Sequence, residues 1–490
     1  MLINSWGWWI GDDSFLYRTW ECLDMDGIDI RTTPRRIALD SAFLWPYWTS
    51  TQAWSGVTLN YATDTIDWLI QSYSNSCYFD AGDPWLVAGA DIHITVWANL
   101  SDYNSSTNPE WVRTFFFTYD NSTNPIKSVG YSWGSRAVLS TINTSGGSSP
   151  ANIPANLHTT AVCYLWKGAI IFARGSKIYE LNPETSTLVG VKIELSVGAV
   201  VKYITYQWGL INIVYAINND TYIHSCTYDG TNYKLYPYSN VEKWEKAISC
   251  TNNGKSIYFL STNWIFQYSG QIEMVRKVAL TTNAVCSYNK WILRICDWTN
   301  FYEYWVQKPW YWKPLTRKSV NFDIKWVTET KIVTLQSWTN QFRYDSEQGF
   351  YKSTGTWISH PYTAGQFGAN KKGLALTIGY TLPRSVYVDD SILCSIDVYI
   401  QTYDMYASNT TTYVKIGTIT DKTKTSQDIM FTDISKTLWV ANYSEVFPYF
   451  RLKLVLNAWD PYSVYSDTRF RLSPETYDVY ITHKEIDKNF

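Results

Sequence analysis

Four segments in the middle of the chain end alike: Tyr228-Asp229-Gly230-Thr231-Asn232-Tyr233-Lys234-Leu235-Tyr236, Ser261-Thr262-Asn263-Trp264-Ile265-Phe266-Gln267-Tyr268, Cys296-Asp297-Trp298-Thr299-Asn300-Phe301-Tyr302-Glu303-Tyr304 and Ser337-Trp338-Thr339-Asn340-Gln341-Phe342-Arg343-Tyr344. Each is a polar turn followed by a short strand that closes on tyrosine. The turns recur roughly every 35 to 40 residues, near the ~40–50 residue period of propeller blades. Dividing the segment 55–353 by a blade of about 45 residues predicts six to seven blades.

Strand signals dominate elsewhere too. Ala169-Ile170-Ile171-Phe172, Ile211-Asn212-Ile213-Val214-Tyr215 and Ser256-Ile257-Tyr258-Phe259-Leu260 are β-branched or aromatic runs bounded by Asn, Asp, Gly and Ser. No stretch keeps apolar residues at helical spacing over three turns, so the chain reads as all-β. From 360 to 490 the rhythm changes to clean alternation, as in Cys394-Ser395-Ile396-Asp397-Val398-Tyr399-Ile400 and Arg451-Leu452-Lys453-Leu454-Val455-Leu456. Strands with one apolar and one polar face predict a β-sandwich. The expected organisation is an extended N-terminal arm over 1–54, a β-propeller over 55–353 and a β-sandwich over 360–490, with Ser353-Thr354-Gly355-Thr356 as the link.

Charge and cysteine use narrow the function. The 41 basic and 43 acidic residues nearly cancel, which argues against phosphate-backbone or nucleic-acid sequence recognition. No apolar run approaches the ~18 residues of a membrane span. The opening MLINSWGWWIGDD lacks the charged and apolar regions of an export signal, so none is expected. The eight cysteines are scattered without a C-x-x-C and read as buried thiols. The five histidines lie far apart, leaving no local metal motif, and nothing in the sequence points to a cofactor.

Tryptophan is anomalous. There are 26 tryptophans and 25 glycines, although ordinary usage of ~7% predicts about 34 glycines in 490 residues. Asp229-Gly230-Thr231-Asn232 and Asp297-Trp298-Thr299-Asn300 match except that Trp replaces Gly. Asp-Gly suits a hairpin turn because glycine adopts positive φ freely. Trp208, Trp264, Trp291 and Trp338 also fall in turns between strands. Two readings stand: a source that decodes UGA as glycine, with these five positions being glycine in the natural chain, or an aromatic-rich surface that stacks on sugars or partners.

Three local motifs compete with ordinary turns. Gly130-Tyr131-Ser132-Trp133-Gly134 has the form of a nucleophile elbow, but Arg136-Ala137-Val138-Leu139 after it reads as a strand where the elbow needs a helix. Gly254-Lys255-Ser256 resembles the end of a phosphate loop, yet Ser249 stands where the first glycine belongs. Asp24-Met25-Asp26-Gly27-Ile28-Asp29 gathers three carboxylates without the spacing of a calcium loop. All three read as turns, and no catalytic activity is expected.

The order of parts supports a resemblance. Leu23-Asp24-Met25-Asp26-Gly27-Ile28-Asp29-Ile30 and Pro34-Arg35-Arg36-Ile37 precede a propeller-like body and a C-terminal sandwich. This resembles the tail-associated β-propeller structural proteins of tailed bacteriophages, the nozzle-like class included. The resemblance implies a virion component of tail, neck or tail tip, assembled in the host cytoplasm as a symmetric homo-oligomer with other virion proteins. A glycan- or receptor-binding propeller on a virion or cell surface is the alternative. Contacts between chains are expected from the arm, where Ile28, Ile30, Ile37 and Leu39 would dock singly on a neighbour, or from the sandwich.

Overall fold

A computed structural model describes residues 2–3, 22–29, 36–40, 43–44, 92–99, 112–118, 126–132, 135–136, 140–141, 159–165, 169–182, 187–207, 209–230, 232–241, 245–289, 291–306, 315–327, 331–336, 339–345, 352–361, 371–383, 394–403, 413–431, 446–447, 449–458 and 473–485. The chain divides into two compact units, one of residues 1–44, 300–320 and 345–490, the other of 45–299 and 321–344.

The second unit is the propeller. Its described residues form small antiparallel sheets that follow one another along the chain. Thr159–Leu165, Ala169–Arg174, Lys177–Asn182 and Thr187–Glu194 make one sheet. Val200–Gln207, Leu210–Ile217, Asp220–Tyr228 and Tyr233–Leu235 make the next, and Ser249–Asn252, Ile257–Leu260, Trp264–Tyr268 and Ile272–Lys277 a third. An earlier sheet starts at Ile92–Asn99 and a later one at Val285–Asn289. Each of these first strands packs against the first strand of the next sheet, so the innermost strands succeed one another around a common axis. That is the blade arrangement of a propeller. Five sheets are seen among the described residues; 45–91 lie outside them.

Stacking explains why the middle strands are apolar on both faces. In Leu210–Ile217, Ile211, Ile213 and Tyr215 pack with Ile171, Ala173 and Ile178 of the preceding blade. Val214 points the other way, into a core with Ala247, Ile257, Phe259 and Phe266 of the following blade. Alternation persists, but each face meets a blade rather than water. The last strand of a blade is wetter: Thr187–Glu194 exposes Val189 and Val191 while burying Ile193.

The first unit is a pair of sheets that share one core. In one sheet, Cys22–Asp26, Thr354–Ser359, Tyr449–Asn457, Ser395–Tyr403 and Val414–Ile419 lie side by side. In the other, Ile28–Asp29, Ile37–Leu39, Glu475–Glu485, Lys371–Thr381 and Ser426–Met430 do so. Phe450, Leu452, Leu454 and Leu456 from the first sheet meet Leu376, Ile378 and Tyr380 from the second. Their period of two is the alternation read from the sequence.

Two expectations need correction here. The described residues of the expected arm 1–54 are not free: Met25 and Asp26 pair with Trp357 and Thr356, and Ile37 pairs with Thr476. Ile28, Ile37 and Leu39, expected to dock on another chain, are buried in the core of their own two-sheet body. Ile30 lies outside the described residues. The reason is complementarity: Cys22–Asp26 extends one sheet, Ile28–Asp29 and Ile37–Leu39 extend the other, and their apolar side chains complete the core. Likewise Thr354-Gly355-Thr356 is no linker but the start of a central strand, paired on one side with Cys22–Asp26 and on the other with Tyr449–Asn457.

Candidate functional site

Among the described residues, a cluster of ionisable groups forms in the first unit, where Asp24, Asp26 and Asp40 meet Arg317, Lys318 and Lys352. A bend at Gly27, with φ +65, joins the two short strands, and the Gly27 amide donates to the Arg317 carbonyl at 2.9 Å. That contact brings the strand carrying Arg317, Lys318 and Ser319 beside the acidic run. Arg317 Nη2 lies 2.9 Å from Asp24 Oδ2, and Lys352 Nζ lies 3.3 Å from Asp26 Oδ1. The Ser319 amide donates to Asp26 Oδ1 at 2.6 Å. Lys318 and Asp40 pair at 3.4 Å, with the Phe301 ring beneath the ammonium, 5.8 Å to its centroid.

The two carboxylates respond oppositely. Burial raises the pKa of Asp24, and the adjacent Arg317 only partly offsets it. Burial also acts to raise Asp26, but the Ser319 hydroxyl and amide, with Lys352 and Arg317, outweigh it and hold Asp26 below the usual carboxylate range. Cations and donors of the chain itself therefore engage the carboxylates once weighed as a calcium loop. Among the described residues no group of three metal-ligating side chains converges. Sequence reasoning missed this cluster, because Arg317 is 293 residues from Asp24 and no local spacing marks the pairing.

Other sequence candidates resolve as turns. Ser132 ends the strand Ile126–Ser132 and pairs with Ser135 across a hairpin, without the strand-to-helix geometry of a nucleophile elbow. In Asn253-Gly254-Lys255-Ser256 the Asn253 side chain accepts from the amides of Lys255 and Ser256, at 2.9 and 2.7 Å, which closes a tight turn. Burial pushes the thiols of Cys163 and Cys286 up to about 12.

The five suspected glycine positions separate. Trp208 and Trp338 lie outside the described residues. Trp264 begins a strand, is half-buried and packs on the core of its blade, with no positive φ. Trp291 and Trp298 have φ of +96 and +53. Both are exposed.

One aromatic group stands apart from the tryptophans. Tyr215 stacks on Tyr222 at 5.4 Å, and Tyr238 meets Tyr222 and His224 edge-on at 5.5 and 5.3 Å. Tyr238 is exposed, which leaves an aromatic face on the third described blade. Burial lowers the His224 pKa and pushes Tyr215 up to about 12, so both are neutral near pH 7.

The inner-strand succession and the outward-running hairpins define a β-propeller protein with an attached two-sheet body. No protein-family model matches the chain, and no curated protein matches its sequence. Among solved structures it is similar to the WD40 domain of Pan2 from Neurospora crassa, at 7% identity over 50% of this chain and 74% of that one, with a TM-score of 0.33. It is also similar to a streptogramin B lyase, at 11% identity over 52% and 98%, with a TM-score of 0.31. Hydrazine synthase of Kuenenia stuttgartiensis gives 6% identity over 52% and 75%, with a TM-score of 0.34.

Proposed function

We propose that the chain is a structural component of a tailed-phage virion, acting by assembly rather than by catalysis. The observation that carries this reading is the outer strand Thr187–Glu194, the last of its blade, on which Val189 and Val191 are each 41% exposed. This edge is blunted against strand addition by irregular pairing with Lys177–Asn182 and by Lys192 and Glu194, so a contact here would use side chains. Exposed valine side chains there suit a heterologous contact repeated around a ring. Val197, 96% exposed in the following turn, extends the same apolar character. The other partners in this reading are virion proteins, and the site of assembly is the host cytoplasm. Electron microscopy of the purified source particle tests it: symmetric copies of this chain at the tail or neck are expected, and a particle that lacks the chain overturns the reading.

The second reading, a glycan- or receptor-binding propeller, is favoured by exposed Tyr238, held edge-on against Tyr222 and His224, because an exposed aromatic ring face stacks on sugars. Glycan-array binding that is lost in Tyr238→Ala would support it over the assembly role.

A further inference from the structure

Trp291 and Trp298 occupy backbone conformations that belong to glycine. Among the described residues, eleven have positive φ: eight glycines, Asn218, and these two tryptophans. Asparagine tolerates the left-handed region because its short side chain bonds locally, whereas a bulky side chain there is a steric outlier.

Trp291 is the clearer case. Asn289 pairs with Ile292, so Trp291 directly precedes the second strand of a tight hairpin. In the preceding part of the propeller Gln207 pairs with Leu210 around a loop of the same length, and its second residue is Gly209 at φ +80. Trp291, at φ +96, stands in the position of Gly209. Tight hairpin loops of this kind favour glycine at that position.

Trp298 has its own counterpart. Gly230 in Asp229-Gly230-Thr231-Asn232 has φ +97, and Trp298 in Asp297-Trp298-Thr299-Asn300 has φ +53. Burial along Ile292–Trp305 loses its alternation at this point: Ile295, Cys296 and Asp297 are buried in succession, then Trp298 and Thr299 are exposed. Trp298 thus takes a left-handed φ inside a strand, a conformation that glycine adopts without steric cost.

Neither indole has a burial role that would compensate, since they are 52% and 42% exposed. Trp357 is the opposite. It is fully buried between Leu376, Leu454 and other core residues of the two-sheet body, within the extended strand Thr354–Ser359. Replacing it with glycine would leave a large cavity.

We infer that positions 291 and 298 carry glycine in the protein as its source makes it, while 357 carries tryptophan. The chain then contains two kinds of written tryptophan, one from codons the source reads as glycine and one genuine. The inference stands whatever the protein's role. It also removes the two tryptophans exposed among the described side chains, so a sugar-stacking surface cannot rest on them.

The test reads three positions together. In the gene, UGA is expected at 291 and 298 and UGG at 357. Peptide mass spectrometry of protein from the natural source is expected to show glycine, glycine and tryptophan. UGG codons at 291 and 298, or tryptophan in either peptide, overturn the inference. In recombinant protein of the written sequence, W291G and W298G are each expected to raise the melting midpoint by about 2–4 °C, whereas W357G lowers it. A fall with W291G and W298G overturns the conformational argument on which the inference rests.

Discussion

Lys318 and Asp40 form an ion pair at 3.4 Å with side chains only 2% and 3% exposed. They lie 278 positions apart in the chain, yet both belong to the same compact unit. Two charges removed from water so completely stabilise the fold only as a pair. Lys318→Met is therefore expected to destabilise this unit by about 3–5 kcal/mol, because the buried Asp40 charge loses its paired Lys318 ammonium. The double variant Lys318→Met/Asp40→Leu is expected to recover most of that loss in denaturant melts. A double variant no better than the single one would mean that the pair is not energetically coupled.

The N-terminal segments are expected to behave as core, not as a removable arm. Deleting residues 1–40 takes Cys22, Met25, Ile28, Ile37 and Leu39 out of the shared core. The truncated chain should lose the cooperative unfolding of the two-sheet body and expose apolar surface to a hydrophobic dye. Ile28→Ala alone is expected to cost about 2–5 kcal/mol. A truncation that melts like the full chain would restore the arm.

Gly355 gives a finer check on the same packing. A Cβ there would lie 2.7 Å from the Gly27 carbonyl oxygen, 2.7 Å from Ile28 Cδ1 and 2.8 Å from Leu39 Cδ2. A backbone oxygen cannot yield as a flexible side-chain end does. Gly355→Ala is expected to destabilise by about 1–3 kcal/mol, measurable by thermal melting.

The acid limb of stability should trace to Asp26 rather than Asp24. Asp26 has a folded pKa below its unfolded value, so it adds stability above the unfolded pKa and loses it as pH falls through the folded one. Asp24, raised mainly by burial, has the opposite sign: its charged form costs stability at neutral pH, and protonation relieves that cost. Melting from about pH 7 down to 3 should thus show a shallower acid loss in Asp26→Asn, at a lower starting midpoint. Asp24→Asn should hold or raise the neutral-pH midpoint. The reverse ranking would show that Arg317 dominates at Asp24 and Lys352 contributes little at Asp26.

The propeller thiols are expected to be inert in the folded chain. Burial pushes Cys163 and Cys286 up to about 12 and Cys226 up to about 11, so the nucleophilic thiolate is scarce at neutral pH. An alkylating reagent should label these three only after denaturant is added. Rapid labelling in native buffer would show that the blades open locally.

Much of the architecture is written in local patterns. The two-residue alternation of Arg451-Leu452-Lys453-Leu454-Val455-Leu456 requires a strand with one wet and one dry face, and the structure has that strand. The all-β class and the blades follow from the same periodicity and from the repeated turns, because backbone pleat and turn chemistry act over a few residues. Even the positive φ at position 298 was visible as a mismatch between Asp297-Trp298-Thr299-Asn300 and its glycine counterpart. Tertiary structure alone decided which strands close which core. Asp24 meets Arg317, and Met25 faces Trp357, across hundreds of residues, and sequence spacing carries no record of such partners. Short segments such as Ile28–Asp29 and Ile37–Leu39 hold too few residues to show a period. They become core strands because two sheets of the same chain leave apolar edges that they fit, and burying those edges lowers the free energy more than leaving them in water.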